Sequence, residues 1–143
     1  MNFELLMLNN AVRMKNTANI LAKELELTAM RSYDTTNWRD GTMGQVGEIV
    51  RLSAQIDECV TFCNAVEKAL RILPKPYRAL LVTVYFKGVD KSYLAGKYGV
   101  SRSTVYRKLY KARELFKEAL ANIGCDEQWF NANYGHYEFA CGK

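Results

Sequence analysis

Small or apolar side chains recur along residues 3–31 at Met7, Ala11, Met14, Ala18, Leu21, Leu25 and Thr28, in steps that alternate four and three. That is the seam spacing of helices packed side by side, and Leu6, Leu8, Ile20 and Leu27 widen the stripe. No Pro or Gly interrupts the stretch, so it predicts one long amphipathic helix. The spacing returns at Ile49, Leu52, Ile56, Cys59, Cys63, Val66, Leu70 and Leu73. Two helices of similar length predict an antiparallel, coiled-coil-like hairpin. Several seam positions of the first helix are small or polar. Pairing across two chains, a homodimer through the helical arm, therefore stays open beside pairing within one.

Between the two stripes the periodicity stops. Ser32 to Gly47, SYDTTNWRDGTMGQVG, is rich in Asp, Thr, Asn, Ser and Gly, whose side chains and flexibility compete with helix. It predicts a loop, longer than a minimal helix–helix turn. Tyr33, Trp38 and Arg39 could form a contact site there, but a Trp in that place reads better as a cap on the hairpin end.

Pro74-Lys75-Pro76 must end the second helix, and Pro76 suits the first turn of a new one, with Leu80, Leu81, Val84 and Tyr85 inward. Gly88 ends that helix, and Asp90 or Ser92 caps a short helix running through Tyr98. The stretch LAGKYGVSRSTVYRKL, Leu94 to Leu109, then has the positions two steeply crossing helices require. Ala95 is small where the second helix crosses it, and Gly99 tolerates positive φ in the turn. Val100, Val105 and Leu109 pin the second helix from below, and Ser101 is its N-cap. That helix runs on with Val105, Leu109, Ala112, Leu115, Phe116 and Ala119 as its buried side. Arg102, Ser103, Thr104, Tyr106, Arg107, Lys108 and Lys111 remain outward. They are hydroxyls and cations, the types that meet phosphates and base edges in a major groove. The pattern predicts a helix-turn-helix with a recognition helix.

The fold class expected is thus all-α. Residues 1–73 form a helical hairpin or oligomerisation arm, 74–123 a helix-turn-helix DNA-binding domain, and 124–143 an aromatic tail. Trp129, Phe130, Tyr134, Tyr137 and Phe139 of that tail would be costly to leave in water, so they are expected to pack on the body or on a partner.

Charge sharpens this picture. The net charge is +5, but residues 74–119 alone carry 11 Lys/Arg against 3 Asp/Glu, whereas the segments before and after them are slightly acidic. A localised basic face attracts polyanions and supplies the salt-dependent part of DNA affinity. The expected mode has the recognition helix in the major groove of double-stranded DNA, with Ser101 and Ser103 near phosphates. Arg102 and Arg107 are placed for bidentate guanine contacts. Lys75, Arg78, Lys87, Lys91, Lys97, Lys108 and Lys111 are placed for phosphates.

Other chemistries lack a basis. At 49% hydrophobic and 24% charged the composition is that of an ordinary globular protein. No apolar run is long enough to span a bilayer, and the first residues lack a signal peptide's cationic flank and cleavage site, so a cytoplasmic protein with no membrane partner is expected. Four cysteines do not make a disulfide framework. Cys59 and Cys63 sit in the apolar seam with no histidine near, and read as small core residues. Cys125, His136 and Cys141 match no common zinc spacing and lack a fourth ligand. One histidine, no Gly-rich phosphate loop and no paired carboxylates leave nothing to build a catalytic site from, so no enzyme, metal or cofactor is expected.

Residues 73–120, LPKPYRALLVTVYFKGVDKSYLAGKYGVSRSTVYRKLYKARELFKEAL, resemble region 4 of bacterial RNA polymerase sigma factors. The shared features are a Leu-Pro opening, a helix, a Gly, and a helix-turn-helix ending in a run of Arg and Lys. With a long helical first half, the whole looks like the phage-encoded, sigma-like late-gene activators of Gram-positive bacteria (the ArpU/RinA kind). The resemblance implies promoter binding and activation of late or packaging genes in the cytoplasm of a bacterial host cell, beside RNA polymerase, with Arg102, Ser103, Thr104, Tyr106, Arg107 and Lys108 as base or phosphate contacts. The promoter-melting regions of a complete sigma factor have no counterpart here, nor does the aromatic tail. Two other readings compete. A small terminase subunit also joins a helix-turn-helix to an oligomerising element, but usually places the DNA-binding part first. A sigma-like adaptor would contact RNA polymerase and hardly touch DNA, which the basic segment argues against.

Overall fold

The computed structural model of the chain describes residues 2–34 and 38–139, the side chains of 32–34 and 38–45 excepted. The described residues are all-α and include no strand: α1 (Phe3–Asp34), α2 (Trp38–Ile72), α3 (Lys75–Leu81), α4 (Lys91–Tyr98), α5 (Arg102–Asn122) and α6 (Glu127–Tyr134). A π-helical turn, Val82–Phe86, continues α3. None of these helices is long and apolar enough to cross a membrane.

The polar stretch 32–47 is not a long loop. Helix α1 runs to Asp34 and α2 already begins at Trp38. A glycine in a helix interior costs only about 1 kcal/mol relative to alanine, too little to stop a helix whose later turns are buried. The cap expected of Trp38, and the contact site with Tyr33 and Arg39, concern side chains outside the described ones. Gly47 shows the cost still being borne, since a Cβ added there meets nothing within 4 Å. Gly47→Ala is therefore expected to stabilise the protein by about 0.5–1 kcal/mol, read as a higher thermal midpoint. A lower midpoint would mean that Gly47 is needed for a close approach.

The chain forms two compact units, one of Val12–Cys63 and one of Met1–Ala11 with Asn64–Lys143. In the first, Met14 and Ala18 of α1 and Leu52, Cys59 and Phe62 of α2 are buried. Leu21, Leu25, Ile49 and Ile56 are half-buried, so coverage thins toward the Asp34 end of α1 and the Trp38 end of α2. The Arg51 guanidinium is held more firmly charged by its hydrogen bond to Glu48 and by that carboxylate's field, with a smaller push from Glu24 of α1. The seam positions read from the sequence are the covered ones, whereas Ile20 and Leu27, expected to widen the stripe, are 59% and 53% exposed because the helical period turns them away from the seam. Phe62, fully buried, lies outside that seam pattern.

The second unit holds the helices expected to form the helix-turn-helix. Helix α2 ends at Ile72, before Pro74, and α3 starts with Pro76 in its first turn. The Lys87 N–H donates to the Val82 carbonyl at 3.0 Å, five residues back, which closes the π turn. Gly88 follows at φ 68°. Val84 and Val89 then both pack on a small core of Leu94, Ala95 and Val105, together with Leu80. Helix α5 buries Val105, Leu109, Ala112, Phe116, Ala119 and Leu120. It ends at Gly124, where the Cys125 N–H reaches the Leu120 carbonyl at 2.8 Å and glycine takes φ 82°.

The aromatic tail packs on this body. Asp126 caps α6 by accepting from the Trp129 N–H at 2.9 Å. Phe130 and Tyr134 are each 2% exposed, and the Phe130 ring lies 5.8 Å from that of Phe3, at the other end of the chain. Tyr137 and Phe139 stack at 5.4 Å. The first turns of α1 are buried so widely that Glu4 and Asn10 are covered as well, Asn10 donating to the Leu6 carbonyl at 2.8 Å.

Candidate nucleic-acid interface

Local chemistry fixes how α4 and α5 are joined. Asp90 starts α4 by accepting from the Ser92 N–H at 3.2 Å. The helix ends at Gly99, left-handed at φ 65°, ψ 32°, and the Val100 N–H reaches back to the Ala95 carbonyl at 3.0 Å. A residue with a Cβ is strained in that backbone conformation, and glycine is not. Ser101 starts α5. Its Oγ accepts from the Thr104 N–H at 3.2 Å and lies 2.9 Å from the Thr104 hydroxyl. Ser101→Ala is expected to cost about 1 kcal/mol by removing the cap, measured by urea unfolding. An unchanged midpoint would show that the cap contributes nothing.

Ala95 is 6% exposed, as a crossing contact requires, and Val105 and Leu109 are buried beneath α5. Val100 departs from expectation at 37% exposed. It lines an open, largely apolar groove of about 440 Å³ with Leu80, Thr83, Leu94, Val105 and Lys108 rather than closing the core.

With one side of α5 buried, the other is set by the helical period. Ser103, Tyr106, Arg107 and Tyr110 point away from Val105, Leu109 and Ala112, and all four are exposed. Arg102, Lys108 and Lys111 are exposed on either side of that arc, and Thr104 is half-buried. Two of the cations are steadied by aromatic rings. Lys91 Nζ of α4 lies 5.1 Å from the centre of the Tyr106 ring, and Lys111 Nζ lies 5.6 Å from that of Tyr77 in α3. The expected residues thus come together on α5 and the start of α4. Ser101 is the exception in role, because its hydroxyl is engaged in the cap.

A second group of expected phosphate contacts, Lys75, Arg78 and Lys87, lines a groove of about 350 Å³ with Thr83. Lys97 lies 5.8 Å from the ring of its neighbour Tyr98. Arg113, although part of the basic segment, is drawn inward. Its guanidinium lies 5.7 Å from the Tyr110 ring centre and hydrogen-bonds the Tyr85 hydroxyl, whose pKa is nonetheless raised because burial outweighs that contact.

Tyr110 joins the exposed arc although the sequence motif does not include it. It is 58% exposed, and its position one turn beyond Tyr106 is the signal that marks it. Tyr93 and Tyr98 on α4 are likewise exposed, at 63% and 66%. An exposed tyrosine offers a flat apolar face and a hydroxyl to a ligand, and four of them stand among these cations.

Among the described residues no group of three or more His, Cys, Asp or Glu side chains is placed to hold a metal ion. Cys59, Cys63 and Cys125 are in no disulfide, and burial raises the Cys59 and Cys125 thiols above their ordinary pKa. Cys141 lies outside the described residues. No family model, no curated protein and no solved structure matches the chain.

Proposed function

We propose that the protein is a sequence-specific DNA-binding transcription regulator, in which α4 and α5 act as a helix-turn-helix and α5 enters the major groove. The observation that carries this is one exposed arc of α5. Ser103, Tyr106, Arg107 and Tyr110 project from a helix whose opposite side is buried, with Arg102, Lys108 and Lys111 flanking them. Arg102 and Arg107 present forked donors to guanine O6 and N7, and the hydroxyls and lysines reach phosphates. The surplus of positive charge on residues 74–119 supports the same partner, since the rest of the chain is slightly acidic.

The resemblance to sigma factor region 4 supports a regulator of the phage late-gene activator kind, working beside RNA polymerase in a bacterial cytoplasm. In that reading the Val12–Cys63 unit is a coiled-coil-like hairpin that carries no chemistry of its own.

The test is binding to a fluorescent library of phage and host promoter fragments at two salt concentrations. Selective binding to particular fragments that weakens steeply with salt is expected. The absence of binding by the folded protein at low salt would overturn the proposal. Equal binding to every fragment would overturn the sequence specificity.

A further inference from the structure

Two aromatic rings stand in the middle of the outward arc of α5. At about 100° per residue, Tyr106 and Tyr110 lie about 40° apart around the helix, between Arg102 on one side and Arg107 on the other. They are 45% and 58% exposed. Both are held in place. Lys91 Nζ of α4 lies over the Tyr106 ring at 5.1 Å, and the Arg113 guanidinium lies over the Tyr110 ring at 5.7 Å, itself hydrogen-bonded to the half-buried Tyr85. A cation over one face leaves the opposite face and the ring edge to a ligand, and a side chain already held loses less freedom on binding.

The major groove offers such a ring one good partner. Adenine, guanine and cytosine present hydrogen-bond donors and acceptors there, whereas thymine adds a C5 methyl group. A ring laid on that methyl group takes apolar area of both out of water. Laid on a purine edge, it would cover polar atoms that its carbon face cannot satisfy. We infer that Tyr106 and Tyr110 read thymine, each through contact of its ring with the C5 methyl group.

These contacts rest on the proposed function and say what its preferred duplex contains besides guanine. At 1.5 Å per residue the two tyrosines stand about 6 Å apart along α5, close to two base steps of about 3.4 Å. The two thymines therefore fall about two base pairs apart, within the same site as the guanine that Arg107 meets. Tyr93 and Tyr98, although more exposed, belong to α4, and the first helix of such a pair crosses the DNA backbone instead of entering the groove.

The experiment replaces each thymine of a duplex selected from the promoter library, one at a time, by deoxyuridine. That change removes the methyl group and leaves every hydrogen-bonding atom in place. At two positions the affinity of the full chain should fall about three- to fivefold, the worth of one buried methyl group. Tyr106→Ala should abolish the fall at one of them and Tyr110→Ala at the other. Tyr106→Phe and Tyr110→Phe, which keep the ring and lose the hydroxyl, should retain it. Deoxyuridine tolerated at every position by the unaltered protein overturns the inference, as does a fall that both alanine variants leave intact. In either case selective duplex binding and the guanine contacts still stand. A fall that the phenylalanine variants abolish makes the hydroxyl the contact and overturns the inference too. If the folded protein selects no duplex, the proposed function fails and the inference falls with it.

Discussion

Phe116→Ala is expected to destabilise the protein by about 3–5 kcal/mol, read as a large fall in the urea midpoint. Phe116 is 0% exposed on the inner side of α5, one turn after Ala112 and three residues before Ala119, themselves 0% and 2% exposed. Removing the ring deletes a large buried apolar area, and Ala112 and Ala119, one turn away on either side, are too small to swell into the space. A cavity that cannot collapse puts the cost toward the upper end of that range. Phe116→Leu keeps most of the volume and should cost much less. If Phe116→Ala cost no more than Phe116→Leu, α5 would not be held by this side. In the proposed function the residue matters because the buried side of α5 is what presents the opposite side to DNA.

Arg107→Ala is the second change with a large expected effect, on binding rather than folding. Arg107 is exposed in the outward arc, so its removal should leave the circular dichroism spectrum and unfolding midpoint unchanged. A bidentate guanine contact carries about 1–3 kcal/mol of discrimination, roughly 5- to 150-fold in affinity for the preferred duplex. Binding to unrelated duplex should fall far less, because only one positive charge is removed. Lys108→Ala gives the contrast. Removing an ammonium that meets a phosphate lowers affinity for all sequences alike and reduces the salt slope by about 1. An Arg107→Ala variant that weakens every duplex equally would make Arg107 a backbone contact, and one that unfolds would make it structural.

The parts of this fold legible in the sequence are those set by short-range chemistry. Asp90, Gly99, Ser101 and Pro74 each act within a few residues, through a cap, a left-handed turn or a missing donor, and each stands where its chemistry predicts. The seam of Met7, Ala11, Met14 and Ala18 is legible because burial on a helix repeats. Long-range placement is hidden. Nothing near Phe3 announces that its ring meets Phe130, and without that contact Glu4 and Asn10 read as solvent-facing. The extent of the helices near Asp34 and Trp38 escapes a reading by residue type, because residues that favour turns are tolerated inside a helix there. The π turn at Val82–Phe86 leaves no mark of its own in a β-branched run. At the candidate interface the exposed face of α5 follows from the period, whereas the rings beneath Lys91 and Lys111 and the inward turn of Arg113 depend on neighbours from other elements.

The most direct test of the central claim is methylation interference on a duplex selected from the promoter library. Dimethyl sulfate marks guanine N7 in the major groove and adenine N3 in the minor groove, so one experiment reports on both. Methyl groups on particular guanines should block binding, adenine methylation within the same site should not, and Arg107→Ala should remove the interference at one guanine. Interference confined to adenines, or none at any base, would contradict an α5 that reads the major groove.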